Sequence, residues 1–158
     1  MSSGDARIGY ETFKNRQQAA YAALVALGNT ATDGGLDKAL AELIKLRVSQ
    51  LNGCAFCFQL HLNIARKLGV DQVKLDLLAT WHDAGVYSER ELAALGWAEA
   101  LTRLDGTGVS DAAWEAVREH FSEEDTELLT ITIGTINTWN RIAGPFRFKP
   151  LVPAKEGA

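Results

Sequence analysis

The most constraining feature of this sequence is a break at Asn52-Gly53 between two segments with helical periodicity. Residues 36–51 repeat apolar side chains every three or four positions before the break. Residues 54–68 follow it, and Gly69 stands where a helix commonly ends. We therefore predict two helices that form an antiparallel hairpin, with Asn52 as the expected N-cap of the second helix.

Helical spacing also dominates the rest of the chain. Further helices are predicted over residues 10–27, 70–81, 88–103, 110–120 and from Ser122 onward. The segment 130–136, TITIGTI, alternates with period two, which favours a strand. However, Leu129, Ile133 and Ile136 also share one helical face, and no second strand is evident for pairing. We therefore predict a buried helix here and an all-α fold.

The composition is that of a single soluble domain. The chain has 158 residues, of which 47% are hydrophobic and 23% charged. We expect one domain over residues 1–158, with a core over about 10–143 and an extended C-terminal tail, 144–158, that holds all three prolines.

Charge and hydropathy exclude several classes of partner. The net charge is −4 and there is no basic run, which argues against nucleic acid and anionic membrane surfaces. No apolar run approaches the roughly 18 residues of a membrane span, and no signal peptide is evident. We expect a cytoplasmic protein, in which cysteines stay reduced unless they are catalytic or bind metal.

The candidate chemistry lies directly after the break. Cys54 and Cys57 are the two cysteines of the chain, and His61 follows Cys57 by four residues. Residues three and four apart on a helix share a face, so we expect the two thiols and the imidazole to form one stripe. Cys54 lies at the helix N-terminus, where the dipole favours thiolate. His61 can take the proton of Cys57, so we predict that Cys57 attacks and Cys54 resolves.

Glu42 joins this group through the hairpin. It lies ten residues before Asn52, roughly 15 Å along a helix, and His61 lies eight residues after Gly53, roughly 12 Å. In an antiparallel pair the two side chains approach each other, directly or through a water. A carboxylate there would orient His61 and stabilise its imidazolium.

Three other interpretations of these residues stay open. The cysteines are also compatible with inert core packing, and Glu42 with an ion pair to Lys38 or Lys45. A zinc site is the third interpretation, with Cys54, Cys57 and His61 as ligands and a fourth from His82 or His120. The sequence lacks the second ligand cluster that structural zinc sites normally have, so we expect no metal and no bound cofactor.

The pattern of Glu42, eleven residues, Cys54-Ala-Phe-Cys57, three residues and His61 resembles the AhpD-like (alkyl hydroperoxidase D-like) branch of the carboxymuconolactone decarboxylase family. The flanking RVSQLNGCAFCFQLH is similar to its motif, and SERELAALGWAEALT and TINTWNR to its later helices. The resemblance covers roughly residues 10–143. It implies an all-α fold that assembles as a trimer or hexamer, and it supports the helix over 130–140.

The resemblance also implies thiol peroxidase activity. Glu42 and His61 would activate Cys57 toward a small hydroperoxide, Cys54 would close a disulfide, and a dithiol or thioredoxin-like partner would reduce it. Two other functions are compatible with the sequence. One is a carboxymuconolactone decarboxylase-like enzyme that does not use the cysteine pair, and the other is a non-enzymatic redox sensor or assembly protein.

Overall fold

A computed structural model describes residues 5–154, and every regular element within that range is helical. The α-helices are α1 (Tyr10–Arg16), α2 (Gln18–Asp33), α3 (Lys38–Leu51), α4 (Ala55–Lys67), α5 (Gln72–Asp76), α6 (Glu89–Thr102), α7 (Asp111–Arg118) and α8 (Glu123–Phe146). A short 3-10 helix, Leu78–Thr80, follows α5. The predicted all-α class is therefore confirmed.

Helix α3 is the centre of the fold. It packs against α4, α6 and α8, so most of its surface is buried rather than one stripe. Its core side chains are Leu40, Ala41, Leu43, Ile44, Leu46 and Val48. Because α3 is enclosed in this way, its polar side chains at Glu42, Arg47 and Ser49 are also buried and need partners on neighbouring helices.

The predicted hairpin forms between α3 and α4. Gly53 adopts a left-handed conformation with φ of 63°, and the Cys54 N–H donates to the Ser49 carbonyl at 3.0 Å. The prediction that Asn52 caps α4 is wrong. Cys54 is the N-cap residue, and Asn52 belongs to the end of α3, from which its side chain reaches α8.

A buried ion pair joins α3 to α6. Glu99 accepts hydrogen bonds from Arg47 Nε at 2.8 Å and from Trp81 Nε1 at 2.8 Å, and Arg47 Nη2 lies 2.6 Å from the same carboxylate. These donors hold the pKa of Glu99 below its usual value although burial acts to raise it. The pair fixes the register of the two helices on the side of α3 away from His61.

Two predicted helices are divided in the structure. The helix expected over residues 10–27 breaks at Gln17 and then continues through Gly28 to Asp33. Gly28 faces α8 within this helix, where a Cβ would make an ordinary contact with Thr135 at 3.7 Å. The helix expected over 70–81 becomes α5 and the 3-10 helix, because each segment packs separately against the core through Leu75 and Leu78.

The ambiguous segment 130–136 lies within helix α8, as predicted. Its threonines are compatible with a helix because their hydroxyls donate to carbonyls one turn earlier. Thr130 bonds to Thr126, Thr132 to Leu128, and Thr135 to Ile131, at 2.7–2.9 Å. The β-branched residues of this segment thus belong to a helix and not to a strand.

The C-terminal tail begins later than predicted. Helix α8 continues through Pro145, and Arg147 ends it in a left-handed conformation with the two hydrogen bonds of a Schellman motif. Phe148 is then buried, and the Leu151 carbonyl accepts a bond from Asn63 on α4. Residues 155–158 of the predicted tail lie outside the described residues. In the described part of the chain, no helix is long and apolar enough to span a membrane.

The two glycines Gly53 and Gly134 give a test of the hairpin geometry. Gly53→Ala should lower the free energy of unfolding by about 1 kcal/mol, because a Cβ disfavours its left-handed conformation. Gly134→Ala is the matched control within α8, where a Cβ meets no neighbouring atom, and it should raise stability by roughly 0.5–1 kcal/mol. Urea unfolding measures both, and changes of the same sign would contradict the turn described here.

Candidate active site

The two cysteines lie at the first turn of α4. The Cys54 side chain caps the helix, and its sulfur accepts a hydrogen bond from the Cys57 N–H at 3.3 Å. Both side chains are buried, with exposed fractions of 4% and 2%. Both thiols are free. The capping geometry brings the sulfur of Cys54 back toward Cys57, as a reversible disulfide would require.

The hydrogen bonding makes the two thiols unequal. The Cys57 thiol donates to the sulfur of Cys54 and, with the backbone N–H groups of the helix start, lowers the pKa of Cys54 to about 7 against the effect of burial. The pKa of Cys57 is raised well above its ordinary value by that same hydrogen bond, by burial and by the charge of Cys54. The first negative charge therefore resides on Cys54, whereas the spacing to His61 pointed to Cys57.

Glu42 and His61 are in direct contact across the hairpin. Glu42 Oε2 lies 2.7 Å from His61 Nδ1, and Glu42 Oε1 accepts a hydrogen bond from Lys45 Nζ at 2.8 Å. Burial acts to raise the pKa of Glu42, but His61 and then Lys45 lower it below its usual value. The carboxylate stays charged, which fixes the imidazole and leaves its Nε2 as the ring nitrogen for another partner.

A cavity of about 370 Å³ connects this pair to one cysteine. Glu42, Cys57 and His61 lie on its wall. Most of the remaining wall is apolar, and includes Leu24, Leu60, Ile64, Leu68, Ile136 and Trp139. Cys54 does not line this cavity but a separate cleft of about 260 Å³ beside the C-terminal segment, with Arg147 and Phe148. A molecule in the larger cavity therefore meets Cys57 first.

The structure thus brings together the four residues that the sequence singled out, and it leaves the other two histidines elsewhere. The ring of His82 stacks on Trp81 with 3.7 Å between centroids, and it lies 3.7 Å from Glu99. Within residues 5–154, no group of three or more His, Cys, Asp or Glu side chains is arranged to hold a metal ion. The sequence left open whether Glu42 pairs with a lysine or contacts His61. In the structure it does both, with Lys45 as the lysine.

Sequence reasoning missed the aromatic side chains that α1 and α2 bring to the cavity. Tyr10 and Tyr21 line it, with their hydroxyls 3.1 Å apart, and the Tyr10 ring packs 4.9 Å from that of Phe56 between the cysteines. The sequence placed Tyr10 only at the start of the helix predicted over residues 10–27. Its proximity to the site depends on how α1 folds across the hairpin, which residue spacing does not reveal.

Comparison with known proteins identifies the family of this chain. Residues 18–100, which contain α2, the hairpin and most of α6, match the carboxymuconolactone decarboxylase family. The chain belongs to this family. Among family relatives, it is 42% identical to the protein YdfG of Bacillus subtilis (strain 168) over 108 residues, which are 68% of this chain and 74% of that protein.

Solved structures extend the similarity to the whole fold. A protein of unknown function from Agrobacterium tumefaciens, described in connection with the antioxidant defence protein AhpD, has a TM-score of 0.87 and 40% identity. The match covers 94% of this chain and all of that one. The debrominase Bmp8 has the same fold with a TM-score of 0.77 at 19% identity, over 86% of this chain and 73% of that one. The AhpD-like fold is thereby confirmed, and it is shared by enzymes of more than one kind.

The inequality of the thiols gives a pH prediction. Cys54 should be alkylated by iodoacetamide with a rate that rises through pH of about 7, because its thiolate is present above its pKa. Cys57→Ala removes the thiol donor, so the midpoint should move up toward the ordinary cysteine value of about 8.5, with a roughly tenfold slower rate at pH 7.

The matched variant is Cys57→Ser, which keeps a hydroxyl donor and should show a smaller upward shift. Mass spectrometry of the alkylated Cys54 peptide measures all three rates. Identical midpoints in the wild type and both variants would show that Cys57 does not stabilise the Cys54 thiolate.

Proposed function

We propose that this protein is a thiol peroxidase that reduces organic hydroperoxides through Cys57 and Cys54. The observation that carries the proposal is that Cys57 and the Glu42–His61 pair lie on the wall of one largely apolar cavity. Cys54 is hydrogen-bonded to Cys57 but lies outside that cavity. The similarity to a protein described in connection with antioxidant defence supports the same class of reaction.

In the first step, the Cys57 sulfur attacks the terminal peroxide oxygen. Its proton passes along the existing hydrogen bond to the Cys54 thiolate. The O–O bond breaks as the S–O bond forms, and the leaving alkoxide takes a proton from the His61 imidazolium to become an alcohol. Glu42 stabilises that imidazolium through the bond to Nδ1, which leaves Nε2–H to donate into the cavity.

In the second step, the Cys54 sulfur attacks the Cys57 sulfenic acid. The S–S bond forms, the S–O bond breaks, and hydroxide leaves with the Cys54 proton as water. A dithiol then reduces the disulfide and becomes a disulfide itself, and its two protons restore one thiol and the imidazolium. Each cycle consumes one hydroperoxide and one dithiol and yields one alcohol and one water.

The cavity favours an organic hydroperoxide over hydrogen peroxide. Its wall is mostly aliphatic and aromatic, so moving an alkyl or aryl group from water into the cavity is favourable.

The proposal also retains a dithiol or thioredoxin-like reductant and assembly as a homotrimer or homohexamer. Exposed apolar side chains on α2, Val25 and Leu27, are compatible with a subunit contact.

Peroxide consumption with a dithiol donor tests this function. Cys57→Ser should abolish turnover. Cys54→Ser lacks both the proton acceptor and the resolving thiol, so it should consume at most one equivalent, more slowly than the wild type. It should stop with a sulfenic acid on Cys57, which dimedone labelling and mass spectrometry detect. Turnover by Cys57→Ser equal to that of the wild type would refute the proposal.

The role of the carboxylate needs its own variant. Glu42→Gln should lower turnover roughly a hundredfold, because it removes the charge that holds His61 as a proton donor. Glu91→Gln is the matched control, since Glu91 also pairs with a lysine, Lys74 at 2.7 Å, but lies outside the cavity. Equal losses of turnover in both variants would show that Glu42 acts only through stability.

A lactone-directed activity that survives loss of both cysteines would indicate decarboxylase-type chemistry instead.

A further inference from the structure

A buried amide on α8 lies beside the cysteine pair. Asn140 is 5% exposed and comes from a helix that packs on both members of the hairpin. Its Oδ1 accepts a hydrogen bond from Asn52 Nδ2 at 2.9 Å, and its Nδ2 donates to Ser49 Oγ at 3.2 Å. The Ser49 carbonyl in turn accepts the Cys54 N–H. Asn140 is therefore part of the turn that presents the thiols.

The orientation of this amide is determined by a chain of hydrogen bonds that begins at a group able only to donate. Arg141 Nη1 donates to Asn137 Oδ1 at 2.9 Å, so that atom is an acceptor. Asn52 Nδ2 donates to the same oxygen and to Asn140 Oδ1, each at 2.9 Å. Because Asn52 presents its donor group to both, Asn140 must present its oxygen to Asn52 and its NH₂ group to the hairpin turn.

An amide nitrogen carries two N–H groups, and Ser49 accepts only one of those of Asn140. We propose that Asn140 donates its second N–H to the sulfurs of Cys54 and Cys57 and thereby stabilises the anionic form of the pair. The Asn140 Nδ2 group is bound on one side by Ser49, and its side chain lies within hydrogen-bonding reach of both thiols.

The electrostatics of the two thiols agree with this geometry. The pKa of Cys54 is lowered first by the Cys57 thiol, and the Asn140 side chain adds to that effect. For Cys57, the bond to Cys54 and burial raise the pKa, and the Asn140 side chain acts in the opposite direction. One donor thus favours negative charge on either sulfur, which suits a pair that passes a proton between its members during the proposed reaction.

The role of Asn140 in turnover rests on the proposed function, but its effect on the thiols is measurable without any peroxide. The experiment is the pH profile of iodoacetamide alkylation of the reduced protein. Asn140→Leu removes the donor and should raise the midpoint, with alkylation about threefold slower at pH 7, a smaller effect than that of Cys57→Ala because Cys57 is the larger contributor. Asn140→Asp has the same size, keeps an acceptor for Asn52 and adds a negative charge, so it should raise the midpoint further.

Asn137→Asp is the matched control. It makes the same change one turn earlier on α8, keeps oxygens for Asn52 and Arg141, and lies outside reach of the cysteines, so its midpoint should stay near that of the wild type. Circular dichroism melts establish that each variant is folded. If Asn140→Leu does not fold, Asn140→Asp alone provides the test. A midpoint in folded Asn140→Asp equal to that in Asn137→Asp would overturn the proposal.

The two proposals fail separately. If the wild type consumes no peroxide but the Asn140 variants shift the alkylation midpoint, the amide stabilises a thiolate that serves another reaction. If peroxide turnover depends on Cys57 while the midpoint is unchanged in Asn140→Asp, the peroxidase function stands and Asn140 only packs the turn.

Discussion

The packing of α3 against α4 across the turn at Gly53 is the constraint on which the rest of the structure depends. It buries Glu42 opposite His61, and it places Cys54 at the one position where a side chain caps α4. The surrounding helices enclose α3, so a misplaced hairpin would leave several buried polar groups without partners. The register of the two helices is therefore strongly determined.

Burial and charge are balanced in different ways at the two ionic centres of α3. Glu99 accepts hydrogen bonds from two arginines and a tryptophan, and the Nε2 atom of His82 lies farther away, at 3.7 Å. Glu42 shares its charge between Lys45 and a titratable imidazole, His61. The first arrangement joins α3 to α6, whereas the second lies on the wall of the adjacent cavity.

The two thiols also differ in access and in ionisation. Cys57 faces the cavity but holds its proton, and Cys54 carries the first charge but faces a different cleft. Neither cysteine alone combines access and ionisation, so the chemistry belongs to the pair. Asn140 extends this pair to α8 and connects it to the polar side chains at the end of α3.

Much of the site followed from the sequence because its members lie close along two helices. The periods of α3 and α4 place Glu42 opposite His61 and put Cys57 one turn from it. The helix predicted from residue 88 also forms, and the structure shows a Ser88–Glu91 capping box at its start. Residue spacing did not reveal Tyr10, Tyr21 or Asn140, since their contacts with the hairpin join distant parts of the chain. The tail also needed the structure, because α8 continues through Pro145 and Phe148 is buried directly after the helix ends.

The sequence by itself therefore determined the helical class, the hairpin and which four side chains meet at the candidate site, since local periodicity controls those features. Tertiary structure alone decided which thiol ionises first and which one faces the cavity. Those properties depend on the direction of individual hydrogen bonds and on burial by α1, α2 and α8. The break at Asn52-Gly53 set the topology, but the cap formed by the Cys54 sulfur distinguished the two cysteines.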